Sequence, residues 1–379
     1  MSGWKRTAFL LCLLLLLGCS AGWQAVVVGP GGTSLGVNGR LLRQLAPFSE
    51  EVDGRAVVPL ERVLASAGYE AVEQVLAISP DGTRSEFAWA DVADLSWWLP
   101  DGRLRIGGES FPVARLEVTP PALLSRAAVR ITDVAPTVAA ALGLAAPARA
   151  SGRALGVPRA GHVLLVILDG LGFLRYGEAQ AEGLTPHLAA LGEPQVGLTA
   201  YPPVTTVATA ALLTGATPAE NGVEQRGIRR TEAETILDVV AGAGRRAVAI
   251  EGESLSFNLR AADTRLSGDR DGNGRTDDNV LANALAVVQA GMPDLLLVHW
   301  HGVDDAGHTY GPGAAEERAR IAEVDQAVGT LLAALPPDVM VIVIADHGMH
   351  AVAEAGRLGN HGHLLAPDMF IPVWIVPLP

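Results

Sequence analysis

The chain has 379 residues, of which 49% are hydrophobic and 18% are charged, and 43 of them are glycine. This composition is too apolar for a disordered protein, and the length suits one large α/β domain with a smaller one. The formal net charge is −13 and the sequence has no basic cluster, so nucleic acid is not expected as a main partner.

The first 19 residues have the pattern of an export signal. Lys5 and Arg6 precede an apolar run, Ala8 to Leu17, that is too short to span a bilayer as a permanent helix. The run ends in Leu-Leu-Gly-Cys, which resembles a bacterial lipobox and implies cleavage before Cys19 and lipidation of its thiol. We therefore expect an extracytoplasmic lipoprotein, anchored to a membrane at the cell surface or in the periplasm. An ordinary secretory peptide and an uncleaved anchor are the alternatives.

The rest of the chain is predicted to contain two parts. Residues 20–118 have short alternating stretches and turn signals around one helical segment near Leu60 to Ala67, which predicts a small α+β module. The turn at Thr119-Pro120-Pro121 marks the boundary to residues 119–379, the predicted catalytic domain. Early in this domain, Asp133 is expected to cap a helix that contains Pro136 and ends at Gly143.

Beyond His162 an α/β alternation begins. Short runs rich in Val, Ile and Leu are typical of strands buried on both faces. The runs are Val163 to Leu168, Ala247 to Ile250, Leu295 to His299, Val339 to Ala345 and Ile371 to Val376. Helical patterns lie between them, notably Ala314 to Leu335. The alternation predicts a doubly wound, mostly parallel α/β sheet.

Several of these strands are followed by potential metal ligands. The candidate ligands are Asp169 after the first run, Asp304 and His308 after another, Asp346 and His347 after a third, and His361 and His363 near the C-terminus. Side chains at the carboxyl ends of neighbouring parallel strands can converge on one crevice. Carboxylate oxygens and imidazole nitrogens suit zinc or a similar divalent ion, and this set is large enough for two. A polar loop with surface histidines is the alternative.

A candidate nucleophile lies in the segment Tyr201 to Val223. Pro202-Pro203 end an extended stretch, and a helix of small residues is predicted from about Thr205 to Leu213. A hydroxyl at a helix N-terminus lies where free N–H groups and the helix dipole favour an anion. It could attack phosphorus if a metal lowered its pKa. The alternative is that Thr205 is an ordinary N-cap.

Taken together, these residues resemble the alkaline phosphatase superfamily, in particular its nucleotide pyrophosphatase/phosphodiesterase (type I phosphodiesterase) and phosphonoacetate hydrolase branches. The resemblance covers about His162 to Val376 and rests on Asp-Gly after the first strand, Pro-x-x-Thr with Thr-Gly nine residues on, D-x-x-G-H-x-x-G-P, A-D-H-G-M and G-x-H-G. It implies two zinc ions. One would be held by Asp169, Asp346, His347 and the nucleophile Thr205, and the other by Asp304, His308 and His361.

The resemblance implies a hydrolase of small-molecule phosphoric esters that acts through a phosphothreonine intermediate. Thr205 is preferred to Thr206 because its distance to Thr214-Gly215 matches the family pattern, although Ala208 stands where nucleotide-cleaving members have Asn. No Arg in the motifs is placed to clamp a dianionic monoester, which favours a phosphodiesterase or pyrophosphatase. The alternatives are a phosphomonoesterase, a phosphonate hydrolase, a phosphoethanolamine transferase and, from another class, a non-catalytic metal- or ligand-binding lipoprotein.

The segment Val129 to Leu155 resembles the closing helix that follows the last metal histidine in many superfamily members. Here it precedes the first motif, so residues 119–160 are interpreted as a permuted C-terminal element. This hypothesis of a natural circular permutation predicts that the helix from about Pro136 to Leu142 packs near the strand Ile371 to Val376.

A separate acidic stretch, Asp269 to Asp278, matches the start of an EF-hand-like calcium loop. The candidate ligands are Asp269, Asp271, Asn273, the carbonyl of Arg275, and Asp277. The twelfth position is Val280, so the usual bidentate Glu is absent and Asp277 or Asp278 would have to compensate. An Asx-rich turn is the alternative.

The lipid-anchor hypothesis is tested by Cys19→Ala. The variant should move from the membrane fraction to the soluble extracytoplasmic fraction, because the acylated thiol is the expected anchor. Fractionation followed by immunoblotting measures this, with Cys12→Ala as the control. Membrane retention of Cys19→Ala equal to that of the control would contradict the anchor.

Overall fold

The computed structural model describes residues 23–252, 256–257, 259–270, 272–354 and 356–378. The predicted leader, Cys19 and Asp271 lie outside the described residues. The chain divides into two compact units: one runs up to Leu124 and includes His363–Ala366, and the other comprises Ser125–Gly362 and Pro367–Pro379. Among the helices of the described part, none has the length and apolar character needed to cross a bilayer.

The N-terminal unit is rich in β-structure. Its elements are β1 (Ala25–Val28), β2 (Ser34–Val37), α1 (Gly39–Gln44), β3 (Glu50–Val52), β4 (Arg55–Pro59), α2 (Leu60–Ser66), β5 (Gln74–Ile78), β6 (Arg84–Ala88), α3 (Trp89–Val92), β7 (Ser96–Trp98), β8 (Arg103–Ile106), β9 (Glu109–Pro112) and β10 (Arg115–Thr119). They form two sheets, ordered β2-β1-β10-β5-β6 and β3-β4-β7-β8-β9. The strands pair antiparallel except β1 with β10, and the predicted helix near Leu60 is present.

The larger unit alternates strands with helices. Its elements are β11 (Val129–Arg130), α4 (Val134–Leu142), β12 (His162–Leu168), α5 (Phe173–Ala181), α6 (Pro186–Ala189), β13 (Gln195–Leu198), α7 (Thr205–Thr214), α8 (Pro218–Asn221), α9 (Ile236–Gly242), β14 (Ala247–Glu251), β15 (Asp263–Leu266), α10 (Asp277–Ala290), β16 (Leu295–Trp300), α11 (Gly302–Tyr310), α12 (Ala315–Ala333), β17 (Val339–Ile344), β18 (His350–Glu354), β19 (Arg357–Asn360), α13 (Ala366–Met369) and β20 (Phe370–Leu378). Strands β18 and β19 form a separate hairpin.

The central sheet of this unit has eight strands, ordered β11-β13-β20-β17-β12-β16-β14-β15. Strand β20 pairs antiparallel with both of its neighbours, and the other pairs are parallel. The predicted mostly parallel α/β sheet is therefore confirmed. Val163–Leu168 and the six residues of β17 are almost completely removed from water. Continuous apolar runs form such strands because both faces of the strand are buried.

The register of the central strands brings their carboxyl ends to one edge. Leu168, the last residue of β12, lies opposite Trp300, the last residue of β16, and Ile167 lies opposite Ile344, which ends β17. Residues that follow these three strands therefore emerge side by side. This edge is where an open parallel sheet binds its ligands.

Helix α11 follows almost directly on β16 and carries the candidate ligands Asp304 and His308. The carboxylate of Asp277 accepts hydrogen bonds from the N–H groups of His301 (3.2 Å) and Gly302 (2.9 Å) at the start of this helix. These bonds satisfy donors that a helix N-terminus otherwise leaves free. The cap comes from a residue more than twenty positions earlier, so the local sequence did not reveal it.

The expected helix before the first motif is present as α4, and Gly143 ends it in the left-handed conformation with φ 69°. Asp133 is the N-cap residue of α4 as predicted, but its side chain makes no capping hydrogen bond to this helix. Its carboxylate instead accepts hydrogen bonds from the N–H groups of Arg130 (2.9 Å) and Arg153 (2.8 Å), on either side of the helix in the sequence. It thereby fixes the turn before α4 and the segment after it.

The position of α4 bears on the permutation hypothesis. The helix packs on β12, α7 and α9, and β12 is separated from β20 by β17 in the sheet. Strand β11, which leads into α4, pairs with β13, the neighbour of β20. The segment thus begins near the final strand while the helix itself packs elsewhere, and the permutation stays a prediction.

The backbone that follows β17 leaves no room for a side chain at Gly348. A Cβ there would lie 1.9 Å from the carbonyl oxygen of Pro367 and 2.7 Å from the Cα of Gly172. Gly348→Ala should therefore lower the free energy of unfolding by about 1–3 kcal/mol, as overpacking does. Denaturant midpoints measure this, with Gly242→Ala as the control because a Cβ there would meet no atom within 4 Å. Equal midpoints for both variants would contradict the close packing.

Candidate metal centre

The first ligand group forms where β12 and β17 end. Asp169 directly follows β12, and Asp346 and His347 follow β17. The three side chains are buried, and their ligand atoms lie within 4.8 Å of one another. His347 Nε2 is 3.4 Å from both Asp169 Oδ1 and Asp346 Oδ2. The structure thus brings together the three residues that the sequence assigned to one metal.

The second ligand group combines a helix and the end of the hairpin. Asp304 and His308 lie one turn apart on α11, and His361 follows β19. His308 Nε2 is 3.2 Å from Asp304 Oδ2, and His361 Nε2 is 3.6 Å from Asp304 Oδ1. The rings of His361 and His347 stack with centroids 3.8 Å apart, so the two groups adjoin. The structure therefore also brings together the three residues of the second predicted group.

The backbone orients the three imidazoles of these groups in the same way. Nδ1 lies 3.0 Å from the Gly348 carbonyl in His347, 2.8 Å from the Gly359 carbonyl in His308 and 2.8 Å from the Pro203 carbonyl in His361. An Nδ1–H that donates to a carbonyl leaves the Nε2 lone pair free to bind a metal, as in His347 and His361. In His308 the Arg357 guanidinium also contacts the ring, at 2.8 Å from Nδ1 and 2.9 Å from Nε2. Each Nε2 faces the carboxylates of its own group.

Each group also contains carboxylate oxygens without a hydrogen-bond donor. Asp169 Oδ1, Asp304 Oδ1 and Asp346 Oδ2 are buried atoms without such a partner. Buried polar atoms in folded proteins are nearly always satisfied, so three exceptions that face imidazole nitrogens need an explanation. A divalent cation in each group would satisfy them, and the mixed O and N donor set fits zinc. The residues present therefore fit the predicted pair of metals.

Burial and neighbouring charges shift the pKa values of several groups in the centre. Burial, with the negative charge of Asp169 beside it, raises the pKa of Asp346 to about 7. Burial also tends to raise the pKa of Asp169, but hydrogen bonds from His299 and His301 outweigh it and hold that pKa well below the ordinary value. Burial and the positive charges of His347 and Arg226 lower the pKa of His361. A bound cation would relieve the carboxylate repulsion.

Thr205 is the first residue of α7, and its hydroxyl Oγ1 lies 3.1 Å from His347 Nε2. The side chain makes no capping hydrogen bond to its own helix, because Val204 is the N-cap. The neighbouring hydroxyl of Thr206 donates instead to the Arg226 carbonyl at 3.2 Å. Of the two threonines, Thr205 is therefore the one that faces the ligand groups.

A cavity of about 430 Å³ opens beside Thr205 and is lined by Asp169, Asp304, Arg226 and Arg229, among other residues. The Arg226 guanidinium lies 3.3 Å from His361 Nε2. Sequence reasoning missed both arginines because they follow no strand and belong to none of the recognised motifs. The absence of Arg from the motifs therefore gives no reason to prefer diesters to monoesters.

Three further histidines near the recognised motifs separate into two kinds. His299 and His301, which the sequence analysis did not count as ligands, contact Asp169: His301 Nδ1 lies 2.9 Å from Asp169 Oδ2 and His299 Nε2 lies 3.2 Å from it. His363, the alternative to His361, instead lies 3.0 Å from Glu61 within the N-terminal unit. The geometry thus favours His361.

The candidate calcium loop uses several of its polar atoms internally. Asp269 accepts hydrogen bonds from the N–H groups of Gly272 and Gly274, both at 2.8 Å. Asp277 belongs to α10, and both of its oxygens cap α11. The Arg275 side chain pairs with Glu323 at 2.8 Å. Because Asp277 faces α11 and Asp271 lies outside the described residues, calcium binding stays a prediction.

A family model described as type I phosphodiesterase / nucleotide pyrophosphatase matches residues 163–368, more than half of the chain. The matched range contains every member of both ligand groups and Thr205. The resemblance inferred from the motifs is confirmed.

Individual relatives cover less. The catalytic subunit of GPI ethanolamine phosphate transferase 3 from Homo sapiens is 31% identical over 101 residues, which is 27% of this chain and 8% of that protein. The corresponding Saccharomyces cerevisiae transferase is 33% identical over 69 residues, 18% of this chain and 6% of that protein. The matched part of this chain thus spans less than a tenth of these relatives.

Two kinds of solved structure align with about half of this chain. Murine ectonucleotide pyrophosphatase / phosphodiesterase 5 is 17% identical, with a TM-score of 0.47, over 56% of this chain and 87% of that one. Phosphonoacetate hydrolase from Sinorhizobium meliloti 1021 in complex with phosphonoacetate is 20% identical, with a TM-score of 0.42, over 54% of this chain and 60% of that one.

Removing a ligand from either group should remove metal. Asp346→Asn keeps the oxygen that accepts hydrogen bonds from the Gly170 and His347 N–H groups but loses the charge, and His308→Ala removes an imidazole of the second group. Each variant should bind about one zinc fewer per chain than the wild type, because the affected group keeps only one carboxylate and one imidazole, too few for a stable zinc site. Atomic emission after dialysis against buffered zinc measures the content.

The control is His187→Asn, which changes a histidine that contacts Gln326 on the surface of the same unit. Zinc content that is unchanged in Asp346→Asn and His308→Ala, and equal to that of this control, would contradict the assignment of the two groups.

Proposed function

Because the chain belongs to the type I phosphodiesterase / nucleotide pyrophosphatase family, we propose that it hydrolyses phosphoric diesters or pyrophosphates with two zinc ions and Thr205 as the nucleophile. Asp169, Asp346 and His347 would hold one ion, together with the Thr205 hydroxyl that lies beside His347. Asp304, His308 and His361 would hold the other.

The position of the Thr205 hydroxyl is the observation that carries this proposal. Oγ1 lies 3.1 Å from His347 Nε2, at the start of a ten-residue helix and on the wall of the cavity. A helix N-terminus favours the negative charge of a phosphoryl group. The hydroxyl, the ligand groups and the space for a substrate therefore meet at one place.

The chemistry divides between the metals and the chain. Zinc bound here would lower the pKa of the Thr205 hydroxyl and offset the charge of the phosphoryl oxygens. Thr205 Oγ attacks phosphorus as it gives up its proton to water, and the bond from phosphorus to one alcohol oxygen breaks as that oxygen takes up a proton from water. The alcohol leaves and the phosphoryl group stays on Thr205. Water then attacks phosphorus, the Oγ–phosphorus bond breaks, and Thr205 regains a proton as the phosphate monoester is released.

Arg226 and Arg229 add positive charge to the wall of the cavity. A guanidinium donates hydrogen bonds to phosphoryl oxygens and attracts anions. This charge suits a substrate with a second phosphate, as in a pyrophosphate, and also a dianionic monoester. Family membership, rather than the cavity, supports diesters and pyrophosphates over monoesters and phosphonates.

Phosphoethanolamine transfer is a second candidate. It is favoured by the 31% identity over 101 residues with a GPI ethanolamine phosphate transferase. In such a transfer an alcohol, rather than water, would attack the phosphorylated Thr205. The two activities are distinguished by supplying glycerol together with a phosphoethanolamine diester: a transferase forms glycerol phosphoethanolamine, whereas a hydrolase releases free phosphoethanolamine.

We also propose that the enzyme acts outside the cytoplasm, held at a membrane through Cys19. This location would expose it to extracytoplasmic phosphate esters.

Thr205→Ala should abolish hydrolysis of bis-p-nitrophenyl phosphate by the zinc-loaded full chain. The expected loss is on the order of 10³-fold or more in kcat, because the nucleophile is removed. Thr205→Ser should keep measurable activity, since a hydroxyl remains. Release of p-nitrophenol measures the rate.

The matched control is Thr206→Ala. It should change the rate by about tenfold or less, because it loses one neutral hydrogen bond worth roughly 1 kcal/mol. The account would be wrong if Thr205→Ala kept wild-type activity, or if Thr206→Ala were the inactive variant.

A further inference from the structure

The candidate ligand His361 lies directly before a point where the chain passes from one unit to the other. His361 and Gly362 belong to the larger unit, whereas His363–Ala366 belong to the N-terminal unit. The chain returns to the larger unit at Pro367. A member of the second ligand group is therefore only two residues away from a segment that is part of the N-terminal unit.

Within the N-terminal unit, His363 lies between two carboxylates. Its Nδ1 is 3.0 Å from Glu61 Oε2, and its Nε2 is 2.7 Å from Asp94 Oδ1. Glu61 belongs to the first turn of α2, and its side chain is largely buried. Hydrogen bonds to a charged group are roughly twice as strong as those between neutral groups. Both ring nitrogens of His363 are thus held, and the ring cannot turn without losing a contact.

The two residues after His363 are held as well. The Val72 N–H donates to the Leu364 carbonyl at 2.8 Å, and Val72 forms a parallel bridge with Leu365. The side chains of Leu364 and Leu365 are almost completely buried. Because burial of large apolar side chains stabilises their position, this segment is a packed part of the N-terminal unit.

The turn that joins His361 to His363 has a defined course. The Gly362 N–H donates to Asp368 Oδ2 at 3.0 Å, and the other oxygen of Asp368 lies 2.8 Å from His350 Nδ1. Gly362 has φ 128°, a conformation that residues with a side chain rarely adopt. A displacement of His363 would therefore be transmitted through a short, fixed turn to His361.

We propose that Glu61 and Asp94 are positioning residues for the metal of the second group. They act through His363, which they hold two positions after the ligand His361. This inference rests on the proposed function for the presence of that metal, and it gives the N-terminal unit a role in the reaction. Residues that orient a metal ligand typically contribute about 10–100-fold to metal affinity, because the ligand is already in place when the ion binds.

The opposing explanation is that these contacts only stabilise the N-terminal unit. The zinc affinity of one ligand group at a time separates the two explanations. In the Asp346→Asn chain only the second group keeps three protein ligands, and in the His308→Ala chain only the first group does. Glu61→Gln, which keeps the size of the side chain and removes its charge, is introduced into each of these full-length chains. Competition with a chromophoric chelator measures the zinc dissociation constant.

Glu61→Gln should raise the zinc dissociation constant about tenfold in the Asp346→Asn chain and leave it unchanged in the His308→Ala chain. Asp94→Asn should act in the same direction. The matched control is Glu117→Gln, which breaks an exposed ion pair with Arg115 in the same unit. This control should change the constant in neither chain.

An unchanged dissociation constant for Glu61→Gln in the Asp346→Asn chain would overturn the positioning role. An equal rise in both chains would also overturn it, because that result indicates a general loss of stability. Failure of the proposed metal function would look different, since the Asp346→Asn and His308→Ala chains would then bind no zinc even with Glu61 in place.

Discussion

Three carboxylates, those of Asp169, Asp304 and Asp346, meet at one edge of a sheet, where each has an oxygen that no hydrogen-bond donor satisfies. Negative charges brought together in a buried environment oppose folding unless a cation or a proton is shared among them. The raised pKa of Asp346, about 7, reflects this conflict. The apolar strands β12 and β17 nevertheless hold the carboxylates of Asp169 and Asp346 in place. Burial of these strands stabilises the fold well away from the sheet edge.

The surrounding histidines make this arrangement specific. The backbone carbonyls of Gly348 and Pro203 accept from Nδ1 of His347 and His361, so that the Nε2 of each faces a carboxylate. His299 and His301 occupy the other side of Asp169, and Glu251 holds His299. Asp169 thus contacts histidines on two sides, and one of them, His347, also lies beside Thr205.

Much of the central sheet and the ligand set could be predicted because both depend on local patterns. A continuous apolar run such as Val339–Ile344 is typical of a strand buried on both faces. The polar residues that follow such a strand then lie at the edge of the sheet. What could not be predicted depends on contacts between distant positions. Asp277 caps α11 from another helix, and Arg226 reaches His361 from a loop that no strand precedes.

The central claim is that Thr205 forms a covalent bond to phosphorus during turnover. The most direct measurement is to mix the zinc-loaded protein with bis-p-nitrophenyl phosphate, stop the reaction in acid within one turnover, and map the modified peptide by mass spectrometry. The account predicts a p-nitrophenylphosphoryl group on Thr205. Turnover with an unmodified Thr205, or with the group on another residue, would contradict it.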